Sequence, residues 1–217
     1  ENNYPIDPKY QEHLEFAYAN LRTQYSCYVE WINQVNPDIL CLQETKVTDD
    51  SFPQEPFEKL GYSVEVYGQK SYNGVAIISK EELKVTTSEF KDPLGQSRCI
   101  AAEVSHNNKK FLLVSIYLPN GNPINTEKYD YKKKWMDVFE KYIVGKFKKN
   151  KNIIIAGDFN VIPSEEDVGN PGDWINDALF KLEIRKKLRE LFNLGFHDIY
   201  RYLNKDKQEY TFWDYMS

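Results

Sequence analysis

No stretch of this 217-residue sequence approaches the ~20 consecutive apolar residues of a membrane-spanning helix, which excludes a helical span of the ordinary kind. Nor does the amino terminus, ENNYPIDPKY, carry a basic segment followed by an apolar one, so no secretory signal is expected in the residues given. An intracellular address follows as an expectation, cytoplasmic in a bacterium and nuclear or organellar in a eukaryote. Cysteine is scarce. Cys27, Cys41 and Cys99 are odd in number and widely spaced, and they are expected to be reduced and mostly buried. Positive charge is not in excess either. A net charge of −5 argues against a protein that coats nucleic acid by bulk electrostatics, but leaves room for a local basic groove around acidic metal ligands. Composition shifts, Pro/Gly/Ser-rich linkers, repeats and low-complexity tracts are also lacking, so residues 1–217 are expected to form one domain.

What the sequence does hold is 41% hydrophobic residues beside 28% charged ones, the balance of a globular chain that can bury a core. Tyr25, Tyr28, Val29, Ile32 and Val35 recur at helical spacing over residues 24–35, and Asn36-Pro37 ends the pattern. Short apolar runs suited to buried strands follow: Ile39–Leu42, Val75–Ile78, Cys99–Ala102, Phe111–Ile116 and Asn152–Ala156. Between the last two, Tyr131, Trp135, Val138, Phe139, Tyr142 and Ile143 mark a second amphipathic helix, with Lys132, Lys133 and Lys134 mainly off its stripe. A third helix is expected over about 179–193, through Phe180, Ile184, Leu188, Leu191 and Phe192, with Gly195 beyond its end. Strands joined by short turns such as His106-Asn107-Asn108 predict mixed sheets with helices outside, a layered α/β sandwich.

Chemistry is concentrated where the apolar runs stop. Gln43-Glu44-Thr45-Lys46 puts a carboxylate and an amide after the first run, where Glu44 could hold a hard cation or simply cap a turn or pair with Lys46. Gly157-Asp158-Phe159-Asn160 ends another, and side chains two apart on an extended segment share a face. Asp158 and Asn160 together suit the orientation of a water and a phosphate oxygen, whereas a structural Asx-turn needs only one of them. Tyr117 precedes Pro119-Asn120-Gly121, where a phenol can donate to a phosphoryl oxygen or pack in the core. The aromatics at 210–215 could wall a pocket for a sugar or base, or form a satellite hydrophobic cluster.

Taken together, Gln43-Glu44-Thr45-Lys46, Gly68-Gln69-Lys70, Gly74-Val75-Ala76, Ser97-Arg98, Tyr117 with Pro119 and Gly121, Gly157-Asp158-Phe159-Asn160, the Phe180, Glu183 and Arg185 helix, and Thr211-Phe212-Trp213 resemble the exonuclease III family of abasic-site endonucleases, within the endonuclease/exonuclease/phosphatase superfamily. The resemblance runs from about Asp38 to Ser217. It implies a four-layer α/β sandwich, with two packed mixed β-sheets flanked by helices in the DNase-I-like manner. It also implies hydrolysis of the phosphodiester 5′ to abasic sites in double-stranded DNA, with accompanying 3′-to-5′ exonuclease and 3′-phosphatase activity, by a monomer using Mg²⁺, for which Mn²⁺ could substitute. In that scheme Glu44 is the metal ligand, Tyr117 a phosphate-contacting catalytic phenol and Asp158 the residue that orients or deprotonates the attacking water. Asn160 binds the scissile phosphate, Arg98 reaches DNA phosphate or shapes the site, and Phe212 with Trp213 walls the pocket for a base-less sugar.

Two departures from the family pattern stand out. Ala17 and Ala19 occupy the positions of two Asn residues in the family's opening strand, and the sequence stops at Ser217, before the family's closing Arg-x-Asp strand and final Asp-His pair. The end strands are therefore expected to be missing from the chain as given, and His13, His106 and His197 each read as surface or structural residues. Two alternatives are carried forward: a catalytically inactive or truncated relative that binds DNA or a protein partner, and a phosphatase acting on a small phosphoester. The Lys132–Lys134 and Lys146–Lys151 stretches are expected to be solvated faces, with contact to DNA phosphates as the alternative.

Overall fold

A computed structural model describes residues 21–86, 90–149, 152–205, 207 and 209–211. The first expected helix is α1, Leu21–Val35, with Tyr25 and Ile32 buried on its inner face. It ends as its sequence dictates. Asn36 takes a left-handed φ of 51°, its N–H donates to Ile32 O at 2.7 Å, and Pro37 cannot continue the helix. The remaining elements are β1 (Ile39–Gln43), α2 (Glu55–Glu58), β2 (Ser63–Tyr67), β3 (Val75–Ser79), β4 (Leu83–Val85), β5 (Cys99–His106), β6 (Lys109–Tyr117), α3 (Glu127–Lys149), β7 (Ile153–Asp158), α4 (Leu182–Asn193) and α5 (Ile199–Leu203).

The strands form two sheets. In the first, β3 lies between β1 and β2 and is antiparallel to both; the second runs β4-β5-β6-β7 and is mixed, because β6 and β7 are parallel. Strand alternation assigns the faces. Ala76 and Ile78 of β3 turn toward the cluster containing Tyr25, Ile32 and Phe57, while Val75 and Ile77 turn toward Ile100, Ala102 and Leu113 of the second sheet. On that sheet Val114 and Ile116 face the other way, onto Trp135, Phe139 and Ile143 of α3 and Ile184 and Leu188 of α4. The layers are helix, sheet, sheet, helices, as the family resemblance implied.

The run Lys109–Tyr117 turns back from β5 through Asn107 and Asn108, both at positive φ (48° and 63°), which is what a tight two-residue hairpin requires. β2 and β4 escaped the sequence reading, although Val64 and Val66 of β2 alternate with Ser63 and Glu65 in the period of a half-buried strand. α4 begins at Leu182 rather than near 179; the buried Ala178, Leu179 and Phe180 belong to the segment before it. The expectation for Lys132 is corrected outright. It is not on a solvated face but fully buried, one turn before Trp135 and Met136 on the inner stripe of α3. Cys99 is buried as expected, whereas Cys27 and Cys41 are partly exposed; none of the three is in a disulfide.

Asp167 ties the last described segment to the body of the fold. Its buried carboxylate accepts from Arg201 Nη2 at 2.7 Å, from Ser164 N and Oγ at 2.9 and 2.8 Å, and from the Thr211 hydroxyl. Burial acts to raise its pKa, but the Thr211, Arg201 and Ser164 bonds outweigh it and hold the carboxyl below its ordinary value. A depressed carboxylate stabilises the fold above its unfolded pKa, and that stability is lost as pH falls through the folded-state value. Asp167→Ala should therefore cost about 3 kcal/mol at neutral pH by leaving Arg201 unpaired, and the deficit should shrink in acid. Paired melting curves at pH 7 and pH 3 check both parts.

Candidate active site

Topology explains why distant residues meet. β1, β6 and β7 all run toward the same end of the sandwich, where β3 and β5 begin, so Glu44, Tyr117, Asp158 and Arg98 collect at one rim. The parallel register sets Tyr117 opposite Asp158, and the next pair inward is Ile116 opposite Gly157. A Cβ at Gly157 would lie 2.1 Å from Ile116 O, and its φ is +120°, so only glycine allows β7 this close approach.

Glu44 lies just past β1 at a left-handed φ of 57°. This backbone is unusual for a non-glycine residue and directs its carboxylate into the rim. One oxygen accepts the Tyr117 hydroxyl, and the other pairs with Lys46 Nζ at 2.8 Å. The pairing with Lys46 that seemed a bland alternative is thus present, and it coexists with the contact to Tyr117. Burial acts to raise the Glu44 pKa, but Lys46, the Tyr117 hydroxyl and the charge of Arg98 outweigh it, so the group is held below its ordinary value and stays ionised. Burial and the Glu44 carboxylate push the Tyr117 phenol far above its ordinary value, so it remains a donor at neutral pH. The Arg98 guanidinium stacks 4.6 Å from the centroid of the Tyr117 ring; its Nε donates to Gln96 Oε1 at 2.6 Å and its Nη1 to Tyr117 O at 3.2 Å.

Asp158 and Asn160 come together through a turn rather than as neighbours on one strand face. Asn160 takes a left-handed φ of 43°, its N–H donates to Asp158 Oδ1 at 2.8 Å, and its Nδ2 donates to Asp158 Oδ2 at 3.0 Å and to Leu118 O at 2.8 Å. The Asx-turn and the paired side chains are one arrangement, not rival ones. Burial raises the Asp158 pKa, opposed by the Asn160 N–H and the charges of Lys132 and Arg98, and aided by the charge of Glu44. A raised carboxylate is the better proton acceptor.

Sequence reasoning left two polar residues at this rim without a role. Asn120 Nδ2 donates to Asn160 Oδ1 at 3.3 Å, and Lys132 Nζ donates to the backbone oxygens of Asn120 and Asn160 at 2.9 and 2.5 Å. The signal for Lys132 was its spacing: residues 132, 135, 139 and 143 share one helical face. Two expected site residues, Phe212 and Trp213, lie outside the described residues, as do Ala17, Ala19 and His13. Thr211, immediately before Phe212, is held by Asp167. The other two histidines are elsewhere: His106 contacts Glu81 at 2.7 Å, and the His197 ring lies 6.0 Å from that of Tyr202.

Among the described residues no group of three or more His, Cys, Asp and Glu side chains is gathered to cage a metal. Among the described residues the site offers a hard cation the Glu44 carboxylate, while that of Asp158 accepts from Asn160. This donor set fits an ion that keeps most of its waters and also binds substrate phosphate, and it does not fit a cage built wholly of protein ligands.

Comparison with known proteins follows the same lines. The sequence pattern of the Endonuclease/Exonuclease/phosphatase family matches residues 17–216. Exodeoxyribonuclease III of Haemophilus influenzae is 33% identical over 214 residues, 94% of this chain and 80% of that protein. Recombination repair protein 1 of Drosophila melanogaster is 36% identical over 198 residues, 87% of this chain, but the chain spans only 28% of the fly protein's length. Among solved structures, an AP endonuclease from Archaeoglobus fulgidus matches with a TM-score of 0.77 at 34% identity, covering 87% of this chain and 72% of that one.

Proposed function

We propose, for a chain that belongs to the endonuclease/exonuclease/phosphatase family and within it to the exonuclease III branch, that it is a DNA repair nuclease hydrolysing the phosphodiester on the 5′ side of abasic sites. The observation that carries this reading is the convergence of Glu44, Tyr117, Arg98, Asp158 and Asn160 at one rim, where an ionised carboxylate, a protonated phenol, a cation, a raised carboxylate and an amide surround one space. The names of the H. influenzae and A. fulgidus proteins support the substrate class.

In this mechanism the scissile phosphate lies against Asn160 and Arg98. Asn160 Nδ2 exchanges its 3.0 Å bond to Asp158 for a phosphate oxygen, which frees the Asp158 carboxylate to take a proton from water. The water oxygen attacks phosphorus in line, the bond to the 3′-oxygen breaks, and that oxygen gains a proton from solvent. Tyr117 turns its one O–H from Glu44 to a non-bridging oxygen as charge builds there. Glu44 would hold a divalent cation, Mg²⁺ with Mn²⁺ as a substitute, whose chemistry is to neutralise charge on the phosphate and the leaving oxygen. Products are a 3′-hydroxyl and a 5′-deoxyribose phosphate. Phe212 and Trp213 would wall the sugar pocket, a role supported by their motif and by the anchoring of Thr211 beside them.

The test is a duplex carrying one tetrahydrofuran abasic analogue. A single nick 5′ to the analogue with Mg²⁺, abolished by EDTA, is the expected result. Tight binding without cleavage across Mg²⁺, Mn²⁺ and Ca²⁺ would instead identify an inactive relative. Faster turnover of soluble sugar or inositol phosphates than of DNA would identify a small-molecule phosphatase.

A further inference from the structure

We propose that Lys132 is a positioning residue for the phosphate-binding turn, its ammonium clipping the loop after β6 to the turn after β7, a role that rests on the nuclease reading above. A charge with no exposed surface needs a reason, because the neighbouring Trp135, Met136 and Phe139 show that an apolar side chain would fit this face of α3. The reason lies at its tip. Nζ donates to Asn120 O at 2.9 Å and to Asn160 O at 2.5 Å, and so joins the two loops that carry the site's amides. Gly121 keeps the path open, since a Cβ there would lie 2.5 Å from Lys132 Cδ.

Asn160 is over-determined as a result. Its carbonyl is held by Lys132, its N–H by Asp158, its Nδ2 by Leu118 O and its Oδ1 by Asn120, which together maintain a backbone of φ 43° that a free chain would leave. Without the ammonium, the buried Asn160 carbonyl and the more exposed Asn120 carbonyl lose this donor, and the turn can relax toward an ordinary conformation. The amide and Asp158 would then drift from the phosphate together. Burial pulls the Lys132 pKa down to about 7 against the attraction of Asp177 and Asp158, and in either protonation state Nζ retains N–H groups for both carbonyls.

Lys132→Met keeps the stem and removes the donor. On abasic duplex kcat should fall about tenfold to a hundredfold with KM within about twofold, because alignment at the reacting phosphate is lost while DNA contacts remain. The melting temperature should hold or rise, and hydrogen exchange at the Asn160 N–H should quicken. Unchanged kcat in a folded variant would overturn the proposal, as would a loss of activity that only tracks a loss of melting temperature. If the wild-type chain has no nuclease activity, the functional reading falls by itself. The exchange rate at Asn160 then still decides the clip: faster exchange at matched stability supports it, and no change overturns it. Should Lys132→Met fail to fold, the wild-type protein answers through NMR of its lysine Nζ. Slowly exchanging protons coupled to the Asn120 and Asn160 carbonyl carbons support the clip, and their absence overturns it.

Discussion

Asp158→Asn is expected to lower turnover on abasic duplex about a hundredfold or more, at every metal concentration tried. The substitution keeps the shape and one oxygen to accept the Asn160 N–H, which is 2.8 Å away in the wild type, so the turn should survive. What disappears is the proton acceptor for the attacking water. Stability should change far less than turnover. Because burial raises the folded-state pKa above the ordinary value, the wild-type carboxylate loses stability as pH rises through the interval between its unfolded and folded pKa. A neutral amide escapes that cost but loses the bond from Asn160 Nδ2, 3.0 Å from Asp158 Oδ2 in the wild type, so the two effects oppose each other and the variant should melt close to wild type at pH 7. The pH profile gives a third reading. Wild-type rate should fall as pH drops through the raised Asp158 pKa, a limb the variant should lack. Near-normal activity would remove Asp158 from the chemistry, and a melting temperature lowered by the equivalent of ~1 kcal/mol with activity intact would leave it a turn cap alone.

The contrast between Asp158 and Lys132 shows how much of this site could be read from sequence. Asp158, Glu44 and Tyr117 were legible because each follows a run of apolar residues, and a strand that stops exposes whatever comes next. Their meeting was not legible from pattern. It depends on β6 and β7 being parallel and on β1 pointing the same way from the other sheet, which no local period encodes. Lys132 was misplaced for the opposite reason. It was grouped with Lys133 and Lys134 as mainly off the apolar stripe and solvated, although residues 132, 135, 139 and 143 share one face, because a run of charge argues for water and nothing in the sequence marks the two carbonyls that meet its ammonium. β2 is another case: its alternation over five residues was present, but continuous apolar runs were taken as the mark of a strand, and Ser63–Tyr67 contains none. The pairing of Glu44 with Lys46 and the Asx-turn at Asp158 were weighed as rivals of function, and the structure holds both within the site.

That coexistence bears on the last prediction, Glu44→Gln. In the structure one carboxylate oxygen pairs with Lys46 and the other accepts the Tyr117 hydroxyl, so a cation must take an oxygen already engaged by the ammonium or by the phenol. Glutamine is neutral and has one carbonyl oxygen to offer, which suits a hard cation poorly. Losing even an outer-shell partner of a metal ligand commonly costs tenfold to a hundredfold in affinity, and losing the ligand's charge should cost at least about that much. The half-saturating Mg²⁺ concentration should rise accordingly, with turnover partly restored at high Mg²⁺ or by Mn²⁺, which binds nitrogen and oxygen sites more tightly than the alkaline-earth ion. Stability should hardly change, because the Glu44 and Lys46 side chains are both 40% exposed and a solvated ion pair of that kind contributes little. The phenol of Tyr117 loses a negative neighbour, so its pKa should fall, yet burial, the larger cause, keeps it protonated at neutral pH. Rate against metal concentration for wild type, Glu44→Gln and Asp158→Asn separates the roles in one experiment. Rescue of the first variant alone assigns Glu44 to the cation and Asp158 to the water. Equal rescue of both would contradict that division, and no response of either to metal would take Glu44 away from the cation.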